Sequence, residues 1–118
     1  MPFEQHQEKN YTNDAQSVYQ AALKATEKLG GSIVSSVPEK FKLEVRFPKT
    51  ILGKVLGERT YLGCEVRAQG GGSLVVVDAY PLDAIDRKLM FGARKGVTQT
   101  VVSWFTAHLE NNLGMSVK

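Results

Sequence analysis

The residues from Ala93 to Asn112 carry the amphipathic pattern that most constrains how this chain can fold. At 100° per residue, one continuous arc of this predicted helix holds the large apolar side chains: Val97, Val101, Trp104, Phe105 and Leu109, with Val102 and Leu113 at its edges. Gly92 or Gly96 lies near the predicted start, and Gly114 is placed just beyond the end as the C′ residue. Because the apolar side holds the chain's only tryptophan, the helix has to cover a broad hydrophobic surface.

A first helix is predicted upstream of this one. Asn13, with Gln16 three residues later, matches a capping box. Small apolar residues then recur at helical spacing from Ala15 to Leu29, and Gly30-Gly31 ends the run. The small contact face of this helix suits close packing against a sheet. Before it, residues 3–11 alternate weakly and predict a short edge strand.

From Ser32 the apolar period changes from 3.6 to 2, which predicts four consecutive strands. They are Ser32–Val37, Phe41–Phe47, Arg59–Ala68 and Leu74–Tyr80, with a turn at Pro38-Glu39-Lys40 and a hairpin turn at Gly70-Gly71-Gly72. In the last strand we place Val75, Val77 and Ala79 inward and Asp78 outward, because the other register would bury a carboxylate. Each strand has one apolar face, which is typical of an antiparallel sheet.

This order predicts a single α+β domain over residues 1–118. A single antiparallel sheet of four to five strands, with both helices packed on one face, satisfies every apolar stripe. The element order resembles, over residues 3–113, the β-α-β4-α arrangement of TATA-binding-protein-like and helix-grip domains found in small uncharacterised bacterial proteins. The resemblance is one of topology and carries no functional motif. It implies a curved sheet that grips the C-terminal helix, a shape found in nucleic-acid binders and in carriers of apolar ligands.

Composition and charge limit the classes of protein that fit. The net charge is +3 over 118 residues, and the basic residues concentrate in segments 49–59 and 83–95. One cysteine excludes an internal disulfide and a cysteine metal site. No signal peptide is recognisable, and no apolar run approaches the ~20 residues that span a bilayer. We therefore expect a cytoplasmic protein, with peripheral contact to a membrane left open.

No residue pattern argues for catalysis, a metal or a cofactor. Cys64 and His108 could form a nucleophile–base pair, but a small buried cysteine and a histidine at a helix flank explain them better. No histidine or carboxylate spacing matches a metal site, and the glycine run joins two strands instead of cradling phosphate. The outer sheet positions mix Lys42, Arg46 and Arg67 with acidic residues, which disfavours nucleic acid.

Two long connections carry the functional expectation. They are Pro48–Glu58 and Pro81–Gly96, which leave a meander at the same end of the sheet and interleave apolar with cationic residues. We predict that they form a rim that binds an amphiphilic anionic ligand or an anionic membrane surface. The predicted binding residues are Lys49, Ile51, Leu52, Lys54, Leu56, Arg59, Arg87, Lys88, Met90, Phe91 and Arg94. Simple capping of the core, and a protein-protein or homodimer surface on the outer sheet face or the N-terminal edge strand, are the alternatives.

Overall fold

A computed structural model describes residues 4–83, 88 and 96–114 of the chain. Within these ranges a short 3₁₀ turn at Pro38–Lys40 separates two of the strands. The elements, in chain order, are β1 (Gln5–Tyr11), α1 (Ala15–Lys28), β2 (Ser32–Val37), β3 (Lys42–Phe47), β4 (Thr50–Ile51), β5 (Lys54–Val55), β6 (Arg59–Gln69), β7 (Gly72–Leu82) and α2 (Val97–Asn112).

Five of the described strands form one antiparallel sheet in the order β1-β7-β6-β3-β2. Both helices bury their apolar sides against the same face of this sheet, where they share a core with Leu43, Val45, Leu62, Val66 and Val77. The predicted fold class is therefore confirmed. The small pair β4–β5 was not predicted.

Helix α1 begins one residue later than the sequence pattern suggested. Asp14, not Asn13, is the N-cap, and its carboxylate accepts hydrogen bonds from the Ser17 amide (3.1 Å) and the Ser17 hydroxyl (2.7 Å). A charged acceptor is stronger than an amide beside the positive end of a helix, which favours Asp14. At the other end, the Gly30 and Gly31 amides donate to Glu27 and Thr26 in a Schellman arrangement, with Gly30 at φ +78°.

Helix α2 begins at Val97, after Gly96 as N-cap, and Gly114 at φ +78° follows its end as predicted. Residues 93–95, expected to be helical, lie outside the described residues. The apolar arc is buried at Val97, Val101, Val102, Phe105 and Leu109. Trp104 packs against the core but is only half-buried.

The β6–β7 hairpin closes through Gly70 and Gly71, whose φ values of +51° and +88° suit the primed turns that hairpins prefer. The register of β7 follows the prediction, because Val75, Val77 and Ala79 are buried while Asp78 is exposed. Ala68 is exposed, although its alternation with Val66 along the predicted third strand indicates an inward side chain.

Polar contacts fix α2 along the β1 edge. Gln7 donates to the Thr106 hydroxyl (2.9 Å), the Tyr11 hydroxyl donates to Glu110 (2.8 Å), and Asn112 donates to the Ala21 carbonyl (3.0 Å). The C-terminal half of α2 thus lies beside α1, toward the β6–β7 hairpin. Its N-terminal half extends toward the other end of the sheet, where β3 ends, β6 begins and β7 ends, which we call the open end.

Candidate ligand-binding site

The first long connection at the open end folds into the β4–β5 hairpin. Thr50 pairs with Val55 and Ile51 with Lys54, around a two-residue turn at Leu52-Gly53. The Leu56 amide donates to the Lys49 carbonyl (2.7 Å) and closes the base. The sequence analysis treated this segment as a connection, because strands of two residues are too short to show a period.

The inner side of the hairpin closes the core. Ile51 is 1% exposed and belongs to the core cluster, and Leu56 is half-buried against the same cluster. These two predicted binding residues therefore do what the capping alternative describes, because their side chains are covered by the protein itself.

The exposed part of the hairpin is apolar and basic. Leu52 is 58% exposed and Val55 is 75% exposed, and Lys49 and Lys54 are exposed beside them. Residues 48–57 contain these two lysines and no acidic residue. The hairpin thus presents aliphatic side chains and positive charge together.

Trp104 connects the hairpin to α2. The Lys54 ammonium lies 5.8 Å from the centroid of the Trp104 ring, within the range of a cation–π contact. The contact places the hairpin on the helix side of the sheet, over the N-terminal half of α2. The half-buried indole therefore lies at the base of the exposed hairpin surface.

Arg59 joins the two connections. Its guanidinium donates to the Asp83 carbonyl (2.5 Å), and Arg59 pairs with Leu82 in the β6–β7 ladder. The two connections do leave the same end of the sheet, as predicted.

Lys88 lies away from the hairpin surface. Its ammonium is 4.8 Å from the Tyr80 ring centroid and pairs with Glu4. Tyr80 stacks on Tyr61 (4.5 Å between centroids) on the sheet face opposite the helices. The structure therefore does not bring Lys88 together with Lys54. The other predicted residues of this connection, Arg87, Met90, Phe91 and Arg94, lie outside the described residues.

Two buried polar residues at the open end were missed by the sequence reasoning. Glu58 and Thr60 continue the inward alternation of β6 toward its start and are buried. The Thr60 hydroxyl has no hydrogen-bond partner in the described part of the chain. Extending the alternation back from Leu62 would have indicated both.

Cys64 and His108 do not form a catalytic pair. Cys64 is buried in the core, and burial raises the pKa of its thiol to about 12. His108 lines an open cleft between the helices together with Lys24 and Lys28. No hydrogen bond joins these two described side chains, because they lie on opposite sides of the helix layer.

The remaining surfaces give little indication of chemistry. Over residues 4–83, 88 and 96–114, no group of three or more His, Cys, Asp or Glu is arranged to hold a metal. No described helix is long and apolar enough to cross a membrane.

On the outer sheet face Glu65 pairs with Lys42 (3.5 Å) and Arg67 (2.8 Å). These ion pairs neutralise part of the charge that a nucleic acid would need.

The sequence matches no family model and no curated protein. Among solved structures, Ara h 8.0201 aligns with a TM-score of 0.62 and 12% identity, over 94% of this chain and 97% of its own. TTHA0849 from Thermus thermophilus aligns with a TM-score of 0.56 and 12% identity, over 93% and 96%. The di-domain ARO/CYC BexL from the BE-7585A biosynthetic pathway aligns with a TM-score of 0.57 and 9% identity, over 94% of this chain and 46% of BexL.

The chain has the helix-grip fold. At these identities the likeness shows the fold alone, and this chain spans less than half of BexL. The helix-grip part of the expected resemblance is confirmed, while the TATA-binding-protein-like part stays an expectation.

Proposed function

We propose that this protein is a binding module for an amphiphilic anion. The apolar part of the ligand lies against Leu52 and Trp104 at the open end, and its acidic group lies at Lys49 and Lys54. The helix-grip neighbours, one of them an ARO/CYC protein of a biosynthetic pathway, support a ligand-binding module in general. The amphiphilic and anionic character of the proposed ligand is inferred from the apolar and basic residues of the hairpin.

The observation that best supports the proposal is that Leu52 is both strained in its backbone and exposed. It has a φ of +52° and lies in a turn that favours Asn or Gly, yet its side chain is 58% exposed. A leucine in this backbone region is strained, and an exposed side chain regains little of that energy by packing. A strained, exposed leucine therefore supports a role in binding.

Phe41 shows the contrasting case. It also has a positive φ, of +51°, but its ring is half-buried against the core and lies 5.8 Å from the Tyr19 ring centroid. Packing and aromatic contact offset the backbone strain at Phe41. Leu52 has no comparable packing, because it is among the four large hydrophobic side chains that are exposed in the described ranges.

The charge of the hairpin selects the ligand's head group. Lys49 and Lys54 flank the exposed aliphatic side chains, and neither forms an ion pair with a described residue. An acid such as a fatty acid would contact both the apolar surface and a lysine, whereas a neutral alcohol of equal length would gain the apolar contact only.

Trp104 supplies the measurement, because it is the only tryptophan in the chain. The change in Trp104 fluorescence is expected to saturate as decanoate is added, and decanol should bind more weakly. Native mass spectrometry should show one decanoate adduct. Saturation with equal affinity for both compounds would contradict the anionic head group, and no saturation would overturn the proposal.

Charge reversal tests the position of the site. Lys49→Glu with Lys54→Glu should abolish the preference for decanoate over decanol. Lys40→Glu is the matched control, since Lys40 is exposed in the 3₁₀ turn at the opposite end of the sheet. Equal losses in the hairpin variant and in the control would show that the preference reflects net charge and not a site.

A second candidate function is self-association through β2. This strand is an edge of the sheet, carries no charged residue, and exposes Ile33 (52%) and Val34 (50%). The other edge, β1, carries the charged residues Glu8 and Lys9, which oppose strand pairing. Light scattering would show a dimer that Ile33→Lys disrupts, and a monomer at all concentrations would exclude this function.

A further inference from the structure

The β4–β5 hairpin exposes two aliphatic side chains, Leu52 and Val55. Leu52 lies in the turn, and Val55, the hairpin's most exposed apolar residue, pairs with Thr50 one residue pair further from the turn than Ile51 and Lys54. Exposed aliphatic side chains fit a soft apolar phase better than a rigid protein pocket, where aromatic residues and arginine dominate binding.

More positive charge lies on the same, helix side of the molecule. Lys24 and Lys28 of α1 line the cleft that contains His108, one helical turn beyond Trp104 on α2. Glu27 is the acidic residue in this cleft. Neither Lys24 nor Lys28 forms an ion pair with a described residue. The helix side therefore carries Lys24 and Lys28 in addition to Lys54, which lies over Trp104.

We propose that this surface docks on an anionic membrane. Leu52 and Val55 enter the interface, while Lys54, Lys24 and Lys28 remain at the level of the lipid phosphates. The proposal rests on the proposed function and adds the source of its ligand, an acidic lipid drawn from the bilayer. A second copy of the chain is a poorer occupant, because it would bring the lysines of both hairpins together.

Sedimentation with vesicles tests the docking. Vesicles of phosphatidylcholine with phosphatidylglycerol should bind the protein, and vesicles of phosphatidylcholine alone should not. Binding should weaken between about 0.1 M and about 1 M salt, as the Debye length falls from about 10 Å to about 3 Å. Equal binding to both kinds of vesicle, or to neither, would overturn the docking proposal.

Single substitutions locate the contact. Lys54→Gln should weaken vesicle binding about fivefold, which corresponds to about 1 kcal/mol per lysine near an anionic surface. Val55→Ser should weaken vesicle binding about tenfold by removing apolar contact. Because Val55 is exposed, this substitution should leave the fold intact. Lys40→Gln, at the opposite end of the sheet, is the matched control. Losses no larger than that of the control would overturn the assignment to the hairpin.

The decanoate titration separates this proposal from the proposed function. Decanoate binding without vesicle binding overturns the docking alone. Vesicle binding without decanoate binding leaves the docking standing and overturns ligand uptake. A dimer that is lost in Val55→Ser, with no vesicle binding, would assign the hairpin to a second copy and overturn the docking.

Discussion

Leu52 combines backbone strain with exposure. Replacing it by Asn, which tolerates the left-handed region, should raise the free energy of unfolding by about 1 kcal/mol. Urea denaturation measures the change. Leu52→Ala keeps the Cβ that causes the strain, so it should give no gain. A lower urea midpoint for Leu52→Asn than for the native protein would show that the leucine stabilises the hairpin.

His6 is the residue whose protonation affects how β1 is held to the sheet. Its Nδ1 lies 2.5 Å from Asp78 on β7 and its Nε2 lies 2.8 Å from Glu8, and only the imidazolium donates from both nitrogens. The hydrogen bond to Asp78, then the one to Glu8, raises the pKa of His6 above 6.5. Its contribution to stability is therefore full below pH 6.5 and is lost as pH rises through the raised pKa.

An NMR titration of the His6 ring checks this expectation. The midpoint should lie above 6.5 in the native protein and should fall in Asp78→Asn, which removes the larger cause. A native midpoint at or below 6.5 would contradict the two-carboxylate arrangement. The sequence predicted that Asp78 points outward, but it gave no sign of this contact, since the pairing of β1 with β7 joins residues far apart in the chain.

At the scale of elements, helix α2 divides its apolar side between core and site. Phe105 is fully buried, while its neighbour Trp104 is half-buried beneath Lys54. Phe105→Ala should lower the free energy of unfolding by about 3–5 kcal/mol, and Trp104→Ala by about half as much. Urea denaturation followed by circular dichroism compares the two variants. Equal losses would place Trp104 in the core and weaken its role at the site.

The helices and long strands were predictable because each carries a repeated apolar period. Helix α1 and strands β3 and β6 follow their patterns at nearly every position, since one face of each is buried. The β4–β5 hairpin has two residues per strand, too few to show a period. The sequence pattern also could not decide between Asn13 and Asp14 as the N-cap, because both residue types are good caps.

The antiparallel strand order predicted that both long connections leave one end of the sheet. The hydrogen bond from Arg59 to the Asp83 carbonyl confirms it. The order did not predict that Lys88 would lie over Tyr80 on the outer face, away from Lys54. The direction of a chain after a strand depends on tertiary contacts, here with Tyr80 and Glu4, which alternation along the sequence does not encode.

Ligand binding should also stabilise the whole domain, because an amphiphile that binds only the folded chain shifts the unfolding equilibrium. At a ligand concentration of about 100 times Kd, the expected gain is about 2.7 kcal/mol. For a chain of 118 residues this corresponds to a rise in Tm of roughly 10 °C. Differential scanning calorimetry with decanoate below its micelle concentration should show the rise in the native protein and in Lys40→Glu. The variant with Lys49→Glu and Lys54→Glu should melt at the same temperature with and without decanoate. A lower Tm in decanoate for all three proteins would mean that the amphiphile prefers the unfolded chain, and the open end would then not be its site.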